Sequence, residues 1–492
     1  MIQLKQLSSY QPGDAVRVVL KTSGCPSDGL PRQDQDNLAA LALKPGSVEL
    51  LRAADGDKLT TALYALLPDQ AAYDDLEEAT GEIIKQLKAQ KAGAVDVLLA
   101  PGLPDTLLDA LMKQLLLADD GFERYRTSGI EPLDPAGKAE QPDRFKPEFI
   151  LYLPQEHDLA KAGASLQEAV ALAGGIRTAR RLVNEPANVM TPDRLAREAQ
   201  ALAREHGFEI TVYDERQIQQ MGLEAFWSVA KGSDAPPRFL VMRYMNRPDS
   251  NQVLALVGKG LTYDSGGYSL KPADSMLTMF CDMGGAGAVI SAMAVLADMK
   301  APVNVVGIVA ACENMISGHA YHNGDIIGSL SGKFIEVVNT DAEGRLTLAD
   351  AITYAATVVK ADKIIDIATL TGAVGVALGH EITGVVCDHE GIYQALSRAS
   401  EQSGDRIWRL PHFDFLAKAN KSERADIKNS GGRPAGTATA ALFCRAFAFG
   451  VPWGHLDIAG TAYQDKPTSK SPQGATGVGV ELLVRAARHL FD

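Results

Sequence analysis

Val253-Leu-Ala-Leu-Val257 runs directly into Gly258-Lys-Gly-Leu-Thr-Tyr-Asp-Ser-Gly-Gly-Tyr-Ser-Leu-Lys271. Five apolar residues without alternation are what a strand needs when both of its faces are covered, and the glycines that follow end it in a loop. Comparable runs stand at Phe239–Arg243, Val303–Ala310, Lys363–Ala368 and His455–Ile458, with helical patterns between them. The alternation predicts an α/β fold with a mixed, mostly parallel central sheet covered by helices on both faces. In such sheets ligands bind beyond the carboxyl ends of the strands.

Charge gathers at two such ends. The first loop carries Lys259, Asp264 and Lys271, and Asp282 follows just before Met283-Gly284-Gly285, where a helix begins. The second cluster, Asn339-Thr-Asp-Ala-Glu-Gly-Arg-Leu346, places Asp341, Glu343 and Arg345 after a strand-like run, Phe334–Val338. Single residues have simpler readings. Thr340 and Glu343 fit a capping box opening a helix whose buried face carries Leu346, Ala349, Ile352, Ala356 and Val359, and Asp282 fits a helix cap. The glycine-rich loop lacks the spacing of either phosphate-binding motif, and Ser265 is no nucleophile elbow because Tyr263 stands where a glycine is needed. Taken together, Asp264, Asp282, Asp341 and Glu343 are what two divalent cations about 3.5–4 Å apart require, since the cations relieve the repulsion between the carboxylates. Oxygen ligands suit Mg²⁺ and Mn²⁺, and Zn²⁺ accepts them too. None of the nine histidines forms H-E-x-x-H, and His319 and His322 read as loop residues.

A chain of 492 residues is too long for one ordinary core. Residues 1–155 alternate short apolar runs (Ala15–Leu20, Val95–Ala100, Phe149–Leu153) with helical patterns (Asp74–Lys91, Pro104–Leu117), which predicts a smaller N-terminal α/β domain without catalytic residues. Asp134–Pro147, rich in proline, glycine and charge, reads as a surface excursion. Residues 156–183 form an Ala- and Leu-rich connecting helix interrupted at Gly174-Gly175, and Thr191-Pro192 opens the first helix of a larger domain, 184–492. A net charge of −13 gives no sign of nucleic acid or an anionic membrane as partner. Five scattered cysteines without a Cys-x-x-Cys pair fit a reducing compartment. With no apolar leader at the start and no run of about 18 apolar residues, the expectation is a cytoplasmic protein without a membrane span.

At this point the chain resembles the leucine aminopeptidase family, the M17 metallopeptidases (cytosol aminopeptidases). The resemblance rests on Lys259-Gly-Leu-Thr-Tyr-Asp-Ser-Gly-Gly, Lys271-Pro272, Asp282-Met-Gly-Gly, the Asn339–Leu346 motif, Ala368-Thr-Leu-Thr-Gly372 and Ala425-Asp-Ile-Lys-Asn with Gly431-Gly432, in matching order and spacing. It covers roughly Asn184 to the end, and the first part only in general architecture. It implies a homohexamer acting on peptides with a free N-terminus, leucine and other apolar first residues preferred. It also implies two divalent ions per subunit, Mn²⁺ or Zn²⁺, with Mg²⁺ or Co²⁺ as other options.

Residue by residue, the resemblance makes Asp264 and Glu343 bridging ligands, adds Asp341 to one site, and completes the other with Lys259, as a neutral amine, and Asp282. Lys271 then stabilises the oxyanion and contacts substrate, and Arg345 holds a bicarbonate as proton relay. Met279, Thr369 and Ala459 become side-pocket positions, Ala462 replaces a larger residue, and Leu370 and Gly372 bind substrate through backbone groups. Tyr263, Tyr268, Ile316 and His322-Asn323 depart from the family pattern without touching these ligands. Two rivals stand beside this reading: a binding protein on the same scaffold, and a two-metal phosphoesterase.

Overall fold

The structure, a computed structural model, describes residues 1–55, 58–118, 120–122, 124–125, 145–468 and 471–491. The expected excursion Asp134–Pro147 lies outside the described residues as far as residue 144. Two units are present, one of Met1–Ala173 with Lys466–Gln473, the other of Gly174–Asp465 with Gly474–Asp492.

In the first unit, β1 (Ile2–Gln6), β2 (Val16–Thr22), β3 (Ser47–Asp55), β4 (Lys58–Leu67), β5 (Ala94–Leu99) and β6 (Glu148–Leu153) form one sheet in the order β1-β6-β5-β2-β4-β3. All neighbours are parallel except β3 with β4. The helix Tyr73–Ala89 buries Leu76, Ala79, Ile83 and Leu87, one stripe at helical spacing, among Val18, Leu63 and Val97 of the sheet. Of its charged residues Glu78, Lys85 and Lys88 are exposed on the other side, and Asp74, Asp75, Glu77 and Glu82 are half-buried.

The second unit is built on an eight-stranded sheet. Its strands are β7 (Glu209–Tyr213), β8 (Arg238–Met245), β9 (Leu254–Asp264), β10 (Asn304–Asn314), β13 (Lys363–Ala368), β14 (Thr383–Cys387), β15 (Ile407–Arg409) and β17 (Trp453–Asp457), in the order β15-β14-β17-β13-β9-β10-β8-β7. The four central strands β17, β13, β9 and β10 are mutually parallel. β8 joins β10 antiparallel, which makes the sheet mixed. β9 is buried along nearly its whole length, as the unbroken apolar run predicts. Successive side chains of a strand point to opposite faces, and here each face has its own helix. A Cβ at Gly258 would sit 2.7 Å from the Gly285 carbonyl oxygen, so the helix Gly284–Asp298 covers one face. One residue on, the Lys259 side chain reaches Gly344, where the helix Gly344–Tyr354 covers the other.

Four expectations are corrected. Phe334–Val338 is not a core strand: Phe334 is exposed, and only Ile335–Glu336 pairs (β12), antiparallel to β11 (Ile326–Ile327) and parallel to β16 (Ile427–Lys428). The helix Gly344–Tyr354 is buried on all sides, not on one face, because it lies in the core. The helix Leu159–Asn184 passes through Gly174-Gly175 without interruption. There Gly175 leaves room for close approach, since a Cβ would meet Val295 at 2.3 Å. Lastly, Met279–Asp298 is long and apolar enough to cross a membrane by composition, but most of it is buried inside the fold, as a core helix is.

Candidate metal centre

Three chain segments deliver the charged residues to one place. β9 ends at Asp264, the turn before the helix Gly284–Asp298 supplies Asp282, and the turn before the helix Gly344–Tyr354 supplies Asp341 and Glu343. Gly344 leaves room for Lys259, since a Cβ there would lie 2.4 Å from Lys259 Cε and displace the end of that side chain. Asp264, Asp341 and Glu343 each present a carboxylate oxygen, and the three lie within 4.8 Å of one another. Asp282 joins them through Lys259, whose Nζ lies 2.8 Å from Asp282 Oδ1, 3.0 Å from Glu343 Oε1 and 2.9 Å from the Thr369 carbonyl oxygen. Lys271 Nζ lies 2.8 Å from Asp264 Oδ2 and also pairs with Asp341. The structure thus brings together all six residues that the two clusters were expected to contribute as metal ligands and oxyanion holder.

Burial makes this cluster electrostatically costly. Asp264, Asp282, Glu343 and Lys259 are all at most 5% exposed. Burial, against the pull of Lys259, raises the Asp282 carboxyl to about 7. Burial and Glu343 raise Asp341 to about 6. Glu343 itself is lowered, because Lys259 and Lys271 outweigh its burial. Both lysines are held protonated: burial opposes their charge, and the facing carboxylates win. Four carboxylates thus face two ammonium groups, and the Glu343 Oε2 oxygen is buried without a hydrogen-bond partner among the described residues. An oxygen-rich donor set with excess negative charge and an unpartnered buried acceptor fits a divalent cation.

Neither proposed cap is one. Glu343 precedes the helix with no side-chain cap. The Thr340 hydroxyl instead donates to the Gly266 carbonyl at 2.7 Å and accepts from Ser269 N at 2.7 Å, tying the Asn339 turn to the loop that carries Lys271. Asp282 also caps nothing, since Met283 precedes its helix. Arg345 is buried, donates Nη1 to the Asn429 carbonyl at 2.8 Å, and keeps Nε without a partner among the described residues.

The expected substrate positions divide. A Cβ at Gly284 would sit 3.3 Å from both Ala462 Cβ and Thr369 Cγ2, so Thr369 and Ala462 meet there. Thr369 uses its hydroxyl on Asp282 Oδ1, at 2.7 Å. The amide N–H groups of Leu370 and Ala459 both donate to Asp457 Oδ1, at 3.2 Å, so the Leu370 N–H is engaged within the fold. Met279 is half-buried in the turn before Asp282, and Gly372 is exposed at the start of its helix. Sequence reading gave no role to Asp457, Asn314 or Asn429, the last of which it quoted only as the end of a motif. Asn429 anchors the Asn339 turn, accepting from Val338 N at 2.9 Å and donating to the Asn339 carbonyl at 2.6 Å. Each stands at or just beyond the end of a strand, which was the available signal.

The profile of the family described as "Cytosol aminopeptidase family, catalytic domain" matches residues 177–484. The chain belongs to the cytosol aminopeptidase family. The match takes in every residue of the cluster described above. Among curated relatives, a "Probable cytosol aminopeptidase" of Clostridium perfringens is 45% identical over 423 residues, covering 84% of this chain and 83% of that one. One of Treponema denticola is 50% identical over 336 residues, 68% of this chain and 71% of that one. Among solved structures, "Bottromycin maturation enzyme BotP in complex with Mn" superposes with a TM-score of 0.84 at 30% identity, over 98% of this chain and 100% of that one. The catalytic-domain profile starts a few residues before Asn184, within the helix Leu159–Asn184, and the Clostridium relative, matched over 84% of this chain, carries the likeness well into the N-terminal part that sequence reading matched only in general architecture.

Proposed function

We propose that this protein is a metal-dependent aminopeptidase that releases N-terminal residues, leucine and other apolar ones preferred, from peptides. The observation that carries the reading is the buried convergence of Asp264, Asp282, Asp341 and Glu343 with Lys259 and Lys271 at the strand ends. Family membership and the Mn-containing relative support a divalent metal cofactor, and the four carboxylates support two ions, Mn²⁺ or Zn²⁺, held by these residues with Lys259. Two such ions, held by Asp264, Asp282, Asp341, Glu343 and Lys259, would supply Lewis-acid polarisation of a scissile carbonyl, a more acidic water and a position for a free α-amine, the last of which would make the activity an exopeptidase one.

The chain's own residues supply the rest. Lys271, held protonated between Asp264 and Asp341, keeps a fixed positive charge where an oxyanion develops. Arg345, a buried guanidinium whose Nε has no partner among the described residues, fits a small planar anion, which supports bicarbonate as proton carrier beside the site. The small and apolar groups of Gly284, Thr369 and Ala462 suit an apolar first side chain. Family resemblance supports residues 1–155 as a non-catalytic assembly domain, 156–183 as connecting helix, 184–492 as catalytic domain, and a homohexamer. The relatives' printed name supports a cytosolic location.

The test is hydrolysis of leucine p-nitroanilide. Expected are turnover, its loss with EDTA, its return with Mn²⁺ or Zn²⁺, and no turnover of the N-acetylated substrate. Equal cleavage of the acetylated compound overturns the aminopeptidase reading.

A further inference from the structure

β9 and β10 run side by side, and their pairing slips by one residue near the site. Cys312 pairs with Leu261 but Glu313 pairs with Tyr263, so Thr262 is the extra residue of a bulge. Without the slip Asn314 would stand level with Tyr263, and with it Asn314 stands level with Asp264. Bulges beside active sites re-aim side chains in this way.

The re-aimed side chain is an amide with two carefully matched acceptors. Asn314 is fully buried, and its Nδ2 donates to Asp264 Oδ1 at 2.8 Å and to the Thr340 carbonyl at 3.0 Å. Tyr321 donates its hydroxyl to the same carbonyl at 2.8 Å. The orientation of the amide is dictated chemically, because a flip would press Oδ1 against two oxygens. In the orientation adopted, Oδ1 is buried without a partner among the described residues. An unsatisfied buried acceptor is destabilising, so the fold tolerates a loss here to keep both Nδ2 bonds. The loop opposite conforms: Gly267 has φ +59°, and a Cβ there would sit 3.0 Å from Asn314 Oδ1.

The two acceptors belong to different arms of the site. Asp264 ends β9, and the Thr340 carbonyl leads directly into Asp341, on a segment that the main sheet does not hold. We propose that Asn314 is a positioning residue of the metal centre: a single amide crosslinks the two arms, sets the spacing of the Asp264 and Asp341 carboxylates, and thereby sets the affinity for divalent cations. The proposal rests on the metal-dependent reading above.

Its test is Mn²⁺ binding by equilibrium dialysis to the wild type, Asn314→Ala and Asn314→Asp, with unfolding of each metal-free protein followed by circular dichroism. Both variants are expected to bind Mn²⁺ about 10- to 100-fold more weakly, as losses of groups that orient ligands do. Turnover is expected to recover toward wild type as Mn²⁺ is raised. Asn314→Asp keeps the side-chain shape and carries the test if Asn314→Ala does not fold. Variants that are less stable but bind Mn²⁺ with wild-type affinity overturn the proposal. A wild type that binds no Mn²⁺ overturns the metal reading instead.

Discussion

The Thr369 hydroxyl donates to Asp282 Oδ1 over 2.7 Å, so a residue expected to line the substrate pocket holds a carboxylate of the proposed metal centre in place. Its methyl group still faces Gly284 and Ala462. Thr369→Val keeps the wall and removes the donor. A hydrogen bond to a charged group is worth about 1.5–3 kcal/mol, so metal affinity should fall roughly 10- to 100-fold. Preference for the first residue of the peptide should stay as in the wild type. Metal titration and a panel of aminoacyl anilides check the two halves, and a changed preference with unchanged metal affinity would return Thr369 to the pocket alone.

Lys271 makes a sharper case because its charge is fixed by Asp264 and Asp341. Lys271→Ala should lower kcat by about 10²–10³, the cost of losing one preorganised oxyanion donor. KM should move much less. Steady-state kinetics at saturating metal separates these effects from a loss of metal.

The metal-free protein should lose stability as pH rises from about 4 to about 7. Asp282 and Asp341 titrate near 7 and 6 in the fold, above the ordinary carboxylate value of 3.8. Across that window the unfolded chain has already released protons that the folded chain retains, so raising the pH favours unfolding. Burial is the leading cause for both groups. Urea melts of EDTA-treated protein at several pH values measure the slope, and a metal-free protein that becomes more stable toward pH 7 contradicts the assignment.

Away from the site, Asp350 accepts from Phe226 N at 2.9 Å and from Leu330 N at 2.8 Å, joining the core helix to two separate segments. Asp350→Ala leaves both donors without that acceptor, at about 1–3 kcal/mol each where the group stays buried. The expected result is a lower denaturation midpoint in urea with Mn²⁺ affinity unchanged in the folded protein.

Much of this was legible in the residues themselves. Val253–Val257 reads as a central strand because its five unbroken apolar residues suit burial on both faces, and Lys259, Asp264 and Asp282 stand out because charges beside or soon after such a run need a reason. The Thr340–Glu343 pattern misleads for a physical reason: the hydroxyl that local spacing assigns to a helix cap is taken by Gly266 and Ser269, which lie far off in the chain. Phe334–Val338 reads as a strand since its composition suits one, yet its partners are two-residue strands outside the main sheet. The strand end at Asn314 was readable but its part in the site was not, because that depends on a bulge at Thr262 that no local pattern announces.

The ammonium groups of Lys259 and Lys271 already occupy the positions against the carboxylates where external charge is needed. In this arrangement the chain itself supplies counterions to the carboxylates, so binding of the proposed divalent ions would be an exchange and not the filling of a void. In the proposed centre Lys259 would have to release Asp282 and Glu343 before either could turn to another cation, and it would have to give up a proton to become a ligand itself. Loading should then follow first-order kinetics at high metal concentration and speed up with alkalinity, with a proton appearing in solution as activity appears.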